Sequence, residues 1–275
     1  MRYVEFEPVP ALAPVLERIW ALEGHASALD DEPQRVLPDG RAELILHFGD
    51  PFERLETDGT ATRQAPLLFA GQLTSELLLR PTGHMRVLGL RFRPFGAALL
   101  GPPQHELAGQ TVAMGDVAPA VARAMSEVRE RARDLEDAAG LAQRALVRML
   151  DPARLDARVT HVVRAIDQRH GRVSVDILAD GVGMTRRHLE RQFQRHVGIS
   201  PKRLARIARF QRALRFLERH DDGPSPTGAI TAATCGYADQ AHFVRDFRDL
   251  AGCPPTEYLL TKGLLTGFFT GRDPS

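Results

Sequence analysis

The stretch ADGVGMTRRHLERQFQRHVGISP, residues 179–201, returns in outline as AATCGYADQAHFVRDFRDLAGCPP, residues 232–255. Ala179, Gly183, Leu189, Arg191, Phe193, Gly198 and Pro201 are echoed by Ala232, Gly236, Phe243, Arg245, Phe247, Gly252 and Pro255. The separation is 53 residues at the first two positions and 54 at the other five, so the second copy has one extra residue just after its glycine. A self-similarity of this kind marks two copies of one small structural unit.

Each copy reads as helix, tight turn, helix. In the first, Val175 to Asp180 supplies a short helix, small Ala179 permits close packing, and Gly183 tolerates a sharp turn. Thr185 caps the next helix, in which Leu189 and Phe193, four apart, face inward. The candidate contact residues of this copy are therefore Thr185, Arg186, Arg187, Glu190, Arg191 and Gln194. In the second copy Asp239 is the cap, Phe243 and Phe247 face inward, and Gln240, Ala241, Val244 and Arg245 face solvent. These are residue types by which a helix in a major groove reads bases: glutamine pairs bidentately with adenine, arginine reads guanine or clamps phosphate, and alanine or valine touches a thymine methyl.

Between the copies, Ser200-Pro201 opens a linking helix that buries Leu204, Ile207, Ala208, Leu214 and Leu217. Its other face carries Lys202, Arg203, Arg206, Arg209, Arg212 and Arg215, and Asp221-Asp222-Gly223-Pro224 is its expected end. The whole chain has a formal net charge of only +1, yet Arg172 to Arg219 holds twelve basic residues against Asp176, Asp180, Glu190 and Glu218. Such a local excess predicts a phosphate-binding surface.

At these residues the chain resembles the AraC/XylS family. That family's pattern runs Ala-x-x-x-Gly-Met-Ser-x-x-x-Leu-x-Arg-x-Phe, then Gly-x-Ser-Pro, and later Gly-Phe-x-x-x-x-His-Phe-x-Arg-x-Phe with Gly-x-x-Pro; here it is matched by Ala179 to Pro201 and Gly236 to Pro255. The resemblance covers residues from about 158 to 260. It implies a pair of recognition helices entering two successive major-groove segments on one face of DNA, about one helical turn apart. Thr231 and Gly228 depart from the family, which has Ile or Leu at both places, and this predicts a weaker first helix in the second copy.

Residues 1 to about 112 read as β-rich, because short apolar runs are punctuated by Pro and Gly. Expected strands are Ala42 to Phe48, Leu67 to Gly71, Glu76 to Leu79 and Val87 to Phe92, with Val36 to Gly40 a strand running into a turn. Such a series predicts a small barrel or sandwich. From Asp116 a helical period places Val117, Val121, Ala124, Met125, Val128, Ala132 and Leu135 on one face, and a second helix follows from about Asp137 to Leu150. These helices either cover the sheet or pair with a second subunit. Asp151-Pro152 breaks the pattern, so the expected α+β architecture is a β-barrel-like domain with flanking helices over 1–150 and an all-α double helix-turn-helix domain over 156–262. Trp20, Leu37-Pro38-Asp39-Gly40 and the Gly89 to Pro94 strand end are similar to the cupin-like sensory segment of some family members.

No run approaches the roughly 18 apolar residues of a membrane span, and the tail Leu264 to Phe269 is too short. Glu5 and Glu7 stand where an export signal needs a basic and then an apolar stretch, so the chain reads as cytoplasmic. Cys235 and Cys253 lack the spacing of a disulfide framework or zinc site and read as small buried thiols. No nucleophile elbow, phosphate-cradling loop or dinucleotide fingerprint occurs, and no cysteine precedes residue 235 to serve as an alkyl acceptor, so no enzyme is expected. His25, His47, His84 and His105 form no His-x-His pair, and neither a metal nor another cofactor is expected. The expected partners are double-stranded DNA, RNA polymerase, a small-molecule effector and a second copy of the chain. Two readings of the first domain stay open: a ligand sensor with a deep pocket, or a ligand-free module for dimerisation or recruitment.

Overall fold

The computed structural model describes residues 1–29, 33–56, 58–218 and 227–261. The expected helix end at Asp221 to Pro224, the tail Leu264 to Phe269, and Arg219 and Lys262 lie outside them. The described strands are β1 (Arg2–Phe6), β2 (Leu16–His25), β3 (Gln34–Val36), β4 (Glu43–His47), β5 (Glu53–Leu55), β6 (Ala61–Arg63), β7 (Leu67–Ala70), β8 (Leu77–Arg80), β9 (His84–Phe92) and β10 (Thr111–Ala113). They form a six-stranded sheet in the order β1-β2-β9-β4-β7-β10 and a four-stranded sheet in the order β3-β8-β5-β6. The strands expected from sequence are β4, β7, β8 and β9.

Side chains alternate between faces along each strand, and the six-stranded sheet is apolar on both. Leu44 and Leu46 of β4, Leu88, Leu90 and Phe92 of β9, and Ile19 and Ala21 of β2 point to one core. Their neighbours Ile45, Val87, Trp20 and Leu22 meet Leu77 and Leu79 of the four-stranded sheet in a second core between the sheets. Trp20 and Gly89 are direct partners across the β2–β9 ladder. A Cβ at Gly89 would stand 2.1 Å from the indole, so the ring lies flat on the glycine and fits inside the barrel only because that side chain is missing.

The outer face of the large sheet is covered by α1 (Met114–Val117), α2 (Pro119–Arg131) and α3 (Leu135–Met149). The helix expected from Asp116 is split, because Ala118 adopts φ −144° and ψ 81° and Pro119 starts a new helix. Val121, Met125 and Val128 of α2 and Ala138, Ala142 and Leu146 of α3 are buried there. The apolar faces that left covering and pairing open therefore cover the sheet.

The remaining helices are α4 (Ala157–Gln168), α5 (Val175–Asp180), α6 (Arg186–Val197), α7 (Pro201–Glu218), α8 (Gly228–Cys235), α9 (Gln240–Ala251) and α10 (Pro255–Thr261). Their apolar core, including Ile166, Leu189, Phe193, Leu204, Ile207, Phe243 and Phe247, is continuous with the core on the outer face of the six-stranded sheet. The helical part thus packs directly on the β-rich part. Cys235 and Cys253 are buried free thiols.

Candidate nucleic-acid interface

In the first repeat, Ser174 caps α5 by accepting from the Asp176 N–H at 3.2 Å. The chain turns at Gly183 with φ +64°, in the left-handed region, and Thr185 then accepts from the His188 N–H at 3.3 Å to start α6. A cap of this type stabilises a helix by about 1 kcal/mol. Leu189, Phe193 and Val197 are buried, which fixes the rotation of the helix and turns its other side outward.

On that outer side Thr185, Arg186, Arg187, Arg191 and Gln194 are exposed and Glu190 is half-buried. Two of these residues serve each other: Arg186 Nε donates to Glu190 Oε1 at 3.1 Å, and the same guanidinium lies 3.5 Å from Asp176, tying α6 to α5. The side chains of Arg187 and Arg191 take part in no hydrogen bond or ion pair among the described residues. Exposed Arg195 continues this face one turn further.

The second repeat is built alike. Asp239 accepts from the His242 N–H at 2.7 Å, and Phe243 and Phe247 are buried. Gln240, Ala241 and Arg245 are exposed, but Val244, expected in solvent, is half-buried against the core. The expected weakness of α8 is corrected too. It is a regular helix capped by Thr227, and fully buried Thr231 is accommodated because its Oγ1 donates to the Thr227 carbonyl at 3.2 Å. Gly228 makes room for the Gln240 carboxamide, whose Nε2 would lie 2.8 Å from a Cβ there. Ile177 of α5 and Ile230 of α8, both two residues before the repeat alanine, are 64% and 53% exposed. This extends the repeat to a pair of apolar positions that the sequence reading did not single out.

The linking helix differs from expectation. Arg206 on α7 holds Asp246 at 2.7 Å and Asp249 at 2.6 Å, both on α9. Arg209 stacks on the Tyr237 ring, 5.3 Å from its centroid, and Arg203 donates to the Thr74 carbonyl of the β-rich part. Three arginines expected on an outward basic face therefore brace the protein internally, while Lys202 and Arg215 are exposed and Arg212 and Ala208 are half-buried. Buried Gln211, also missed from sequence, donates to the Pro38 carbonyl at 2.8 Å.

That last contact leads back into the barrel. Pro38 belongs to the Leu37 to Arg41 loop, and Gly40 in it has φ +78° and a backbone so close to Leu204 of α7 that a Cβ would stand 2.6 Å away. Asp39 accepts from the Arg41 N–H at 2.8 Å and pairs with Arg91, whose other arm reaches Glu43 Oε1 at 3.1 Å. Arg41 in turn pairs with Glu17. Against the upward push of burial, the Arg41 and Arg91 guanidiniums hold the Glu17 carboxyl at about 2, whereas burial raises Glu43 to about 7. Asp39, Glu43, Arg91 and Trp20 line a cavity of about 70 Å³ between the two sheets. Arg93 points elsewhere, donating to the Ala13 carbonyl at 3.0 Å. Among the described residues no group of three or more His, Cys, Asp or Glu side chains is placed to hold a metal. No described helix is long and apolar enough to cross a membrane.

Residues 178–260 match the model of a helix-turn-helix domain, and residues 4–113 match that of a domain of unknown function, DUF6597. The chain is 32% identical over 103 residues to the HTH-type transcriptional activator RhaS of Escherichia fergusonii, covering 37% of this chain and 36% of RhaS. It is 33% identical over 85 residues to the HTH-type transcriptional regulator GbdR of Pseudomonas aeruginosa, covering 31% of this chain and 22% of GbdR. The chain thus spans about a third or less of these curated relatives. Among solved structures, a probable AraC family transcriptional regulator from Rhodopseudomonas palustris is 31% identical, with 38% of this chain and 96% of that chain covered and a TM-score of 0.34.

Proposed function

We propose that the chain is a sequence-specific DNA-binding transcriptional regulator of the AraC type, a reading supported by the helix-turn-helix match and by the likeness to RhaS over 103 residues. The observation that carries this reading is the repeated placement of exposed arginine on a capped helix after a tight turn, with Arg187 and Arg191 on α6 and Arg245 on α9. In this reading Arg191, Arg245, Gln194 and Gln240 face base edges, Ala241 meets a thymine methyl, and Thr185 and Arg187 hold phosphate. Arg186 and Glu190 act by fixing α6 against α5. Val244 contributes little at the groove because it is packed inward.

The division of labour we propose places sensing in residues 1–150 and DNA binding in residues 156–262, with the action in the cytoplasm and RNA polymerase as the partner at the promoter. The cavity between the sheets favours an effector-binding first domain over a ligand-free module. A signal from it would reach α7 through the Leu37 to Arg41 loop, which touches both. Pairing with a second copy would use a surface other than the apolar faces of α2 and α3, which are covered.

Selection of bound sequences from a random DNA pool tests the reading. It should return a site with two conserved segments whose centres lie about 10 base pairs apart. Recovery of no common sequence would contradict it.

A further inference from the structure

The cavity between the sheets has a polar end and an apolar end. Phe52, Leu68, Leu77, Leu79 and Val87 form much of its wall, and the indole of Trp20 lies along it. At the polar end one guanidinium, Arg91, serves two carboxylates, Asp39 and Glu43. Each carboxylate side chain keeps 17% of its surface accessible, and both line the cavity. Arg41 lines the cavity as well but is paired with Glu17 behind it, and Arg18 pairs with Glu5 and lies 3.7 Å from Glu17. With Glu17 counted, the polar end holds one more carboxylate than guanidinium among the described residues, and because burial raises the Glu43 carboxyl to about 7 that excess is a full negative charge only above this pH. A second observation is independent of these acids. His47, 1% exposed, lines the same cavity, and its Nδ1 has no hydrogen-bond partner among the described residues while Nε2 is engaged by Gln64 at 3.2 Å. Buried polar atoms are almost always partnered, so an orphan on a cavity wall points to an occupant.

We propose that this cavity binds a compact organic cation, an amine or quaternary ammonium with a small apolar body, its charge set between the Glu43 and Asp39 carboxylates and the Trp20 ring. The cation supplies the missing positive charge and gains from the aromatic face. The apolar walls take the body. The proposal rests on the effector-binding reading of the first domain and adds the ligand's charge and chemical class. It also places the ligand against Asp39, in the loop whose Pro38 carbonyl is held by α7.

Trp20 is the only tryptophan of the chain and lines the cavity, so its fluorescence reports occupancy directly. The full chain is titrated at pH 8, without DNA, with three probes of one shape and different charge: isobutylammonium, isobutanol and isobutyrate. Isobutylammonium should give a saturable change with a dissociation constant at least about 10-fold below those of the other two, about 1.4 kcal/mol of preference. Glu43→Gln should remove that preference, and if this variant does not fold the ranking of the three probes on the wild-type chain still decides. Equal or tighter binding of isobutanol or isobutyrate overturns the charge assignment and leaves an effector site standing. No response to any probe overturns the proposal altogether. Neither result touches the DNA-binding reading, which the DNA selection tests separately.

Discussion

Helices α6 and α9, proposed to read DNA, and the linking helix α7 between them draw on the same residue in opposite surroundings. On α6 and α9, Arg187, Arg191 and Arg245 stand exposed with no partner among the described residues. On α7, Arg206 is held by two carboxylates of α9, Arg209 lies on a tyrosine ring and Arg203 caps a carbonyl of the barrel. In sequence these arginines make one basic segment. In the fold one group is presented and the other is structural, because Arg187, Arg191 and Arg245 lie on exposed faces of α6 and α9, whereas Arg203, Arg206 and Arg209 of α7 face Thr74, α9 and Tyr237. A local charge excess therefore overstates the phosphate-facing surface wherever the charged helix is also a packing element.

The largest effect that should separate the two groups is on stability. Arg206→Ala leaves Asp246, 5% exposed, without its cation, and should lower the unfolding free energy by about 2–4 kcal/mol in urea titration. Arg191→Ala should leave the urea midpoint unchanged and reduce discrimination between operator and random DNA roughly 10- to 100-fold. An unchanged midpoint for Arg206→Ala, or a lowered one for Arg191→Ala, would break the distinction.

Much of this was legible because tight turns and caps are local. Gly183, Thr185 and Asp239 occupy the expected turn and cap positions, and the inward pairs Leu189/Phe193 and Phe243/Phe247 are buried as spaced. Strands β4, β7, β8 and β9 were equally plain from their apolar runs. β2 was not, because Ile19 to Leu22 is apolar without alternation: the sheet is buried on both faces, and Glu17, Arg18 and Glu23 flank the run. β5, β6 and β10 are three residues each and too short to carry a period. The partners of Arg203, Arg206, Arg209 and Gln211 lie 28 to 173 residues away in the chain, where no spacing rule reaches. The polar end of the cavity was hidden for the same reason, since Trp20, Asp39, Glu43 and Arg91 meet only when β2, β4 and β9 pair.

A third test contrasts the barrel interior with the reading surface through pH. Glu43 titrates near 7 in the fold against 4.5 ordinarily, so the folded state holds that proton more tightly. Its contribution is fully present below pH 4.5 and is lost as pH rises through 7. Glu17, held at about 2, acts oppositely, with stability present above pH 4.5 and lost as pH falls toward 2. His47, pushed to about 4 by burial, loses its contribution as pH falls from 6.5 toward 4, so wild type must be compared with Glu43→Gln to isolate one group. The wild-type chain should be more stable relative to Glu43→Gln at pH 5 than at pH 8; a difference that does not change with pH would contradict the burial argument. The smallest effect belongs to Arg186→Ala, whose exposed pairs with Glu190 and Asp176 should leave the urea midpoint unchanged while slightly weakening DNA binding through a less firmly held α6.

The central claim, that α6 and α9 read DNA while α7 braces them, is tested most directly by fluorescence anisotropy with the DNA upstream of the chain's own gene and with random DNA, at two salt concentrations. Arg191→Ala, Arg245→Ala and Arg209→Ala are compared with the wild-type chain. The account predicts that affinity falls with salt for all four. It further predicts that Arg191→Ala and Arg245→Ala lose the preference for the upstream DNA, while Arg209→Ala keeps the ratio and loses stability instead. If Arg209→Ala erased the preference as fully as Arg191→Ala, the separation of reading from bracing arginines would be contradicted.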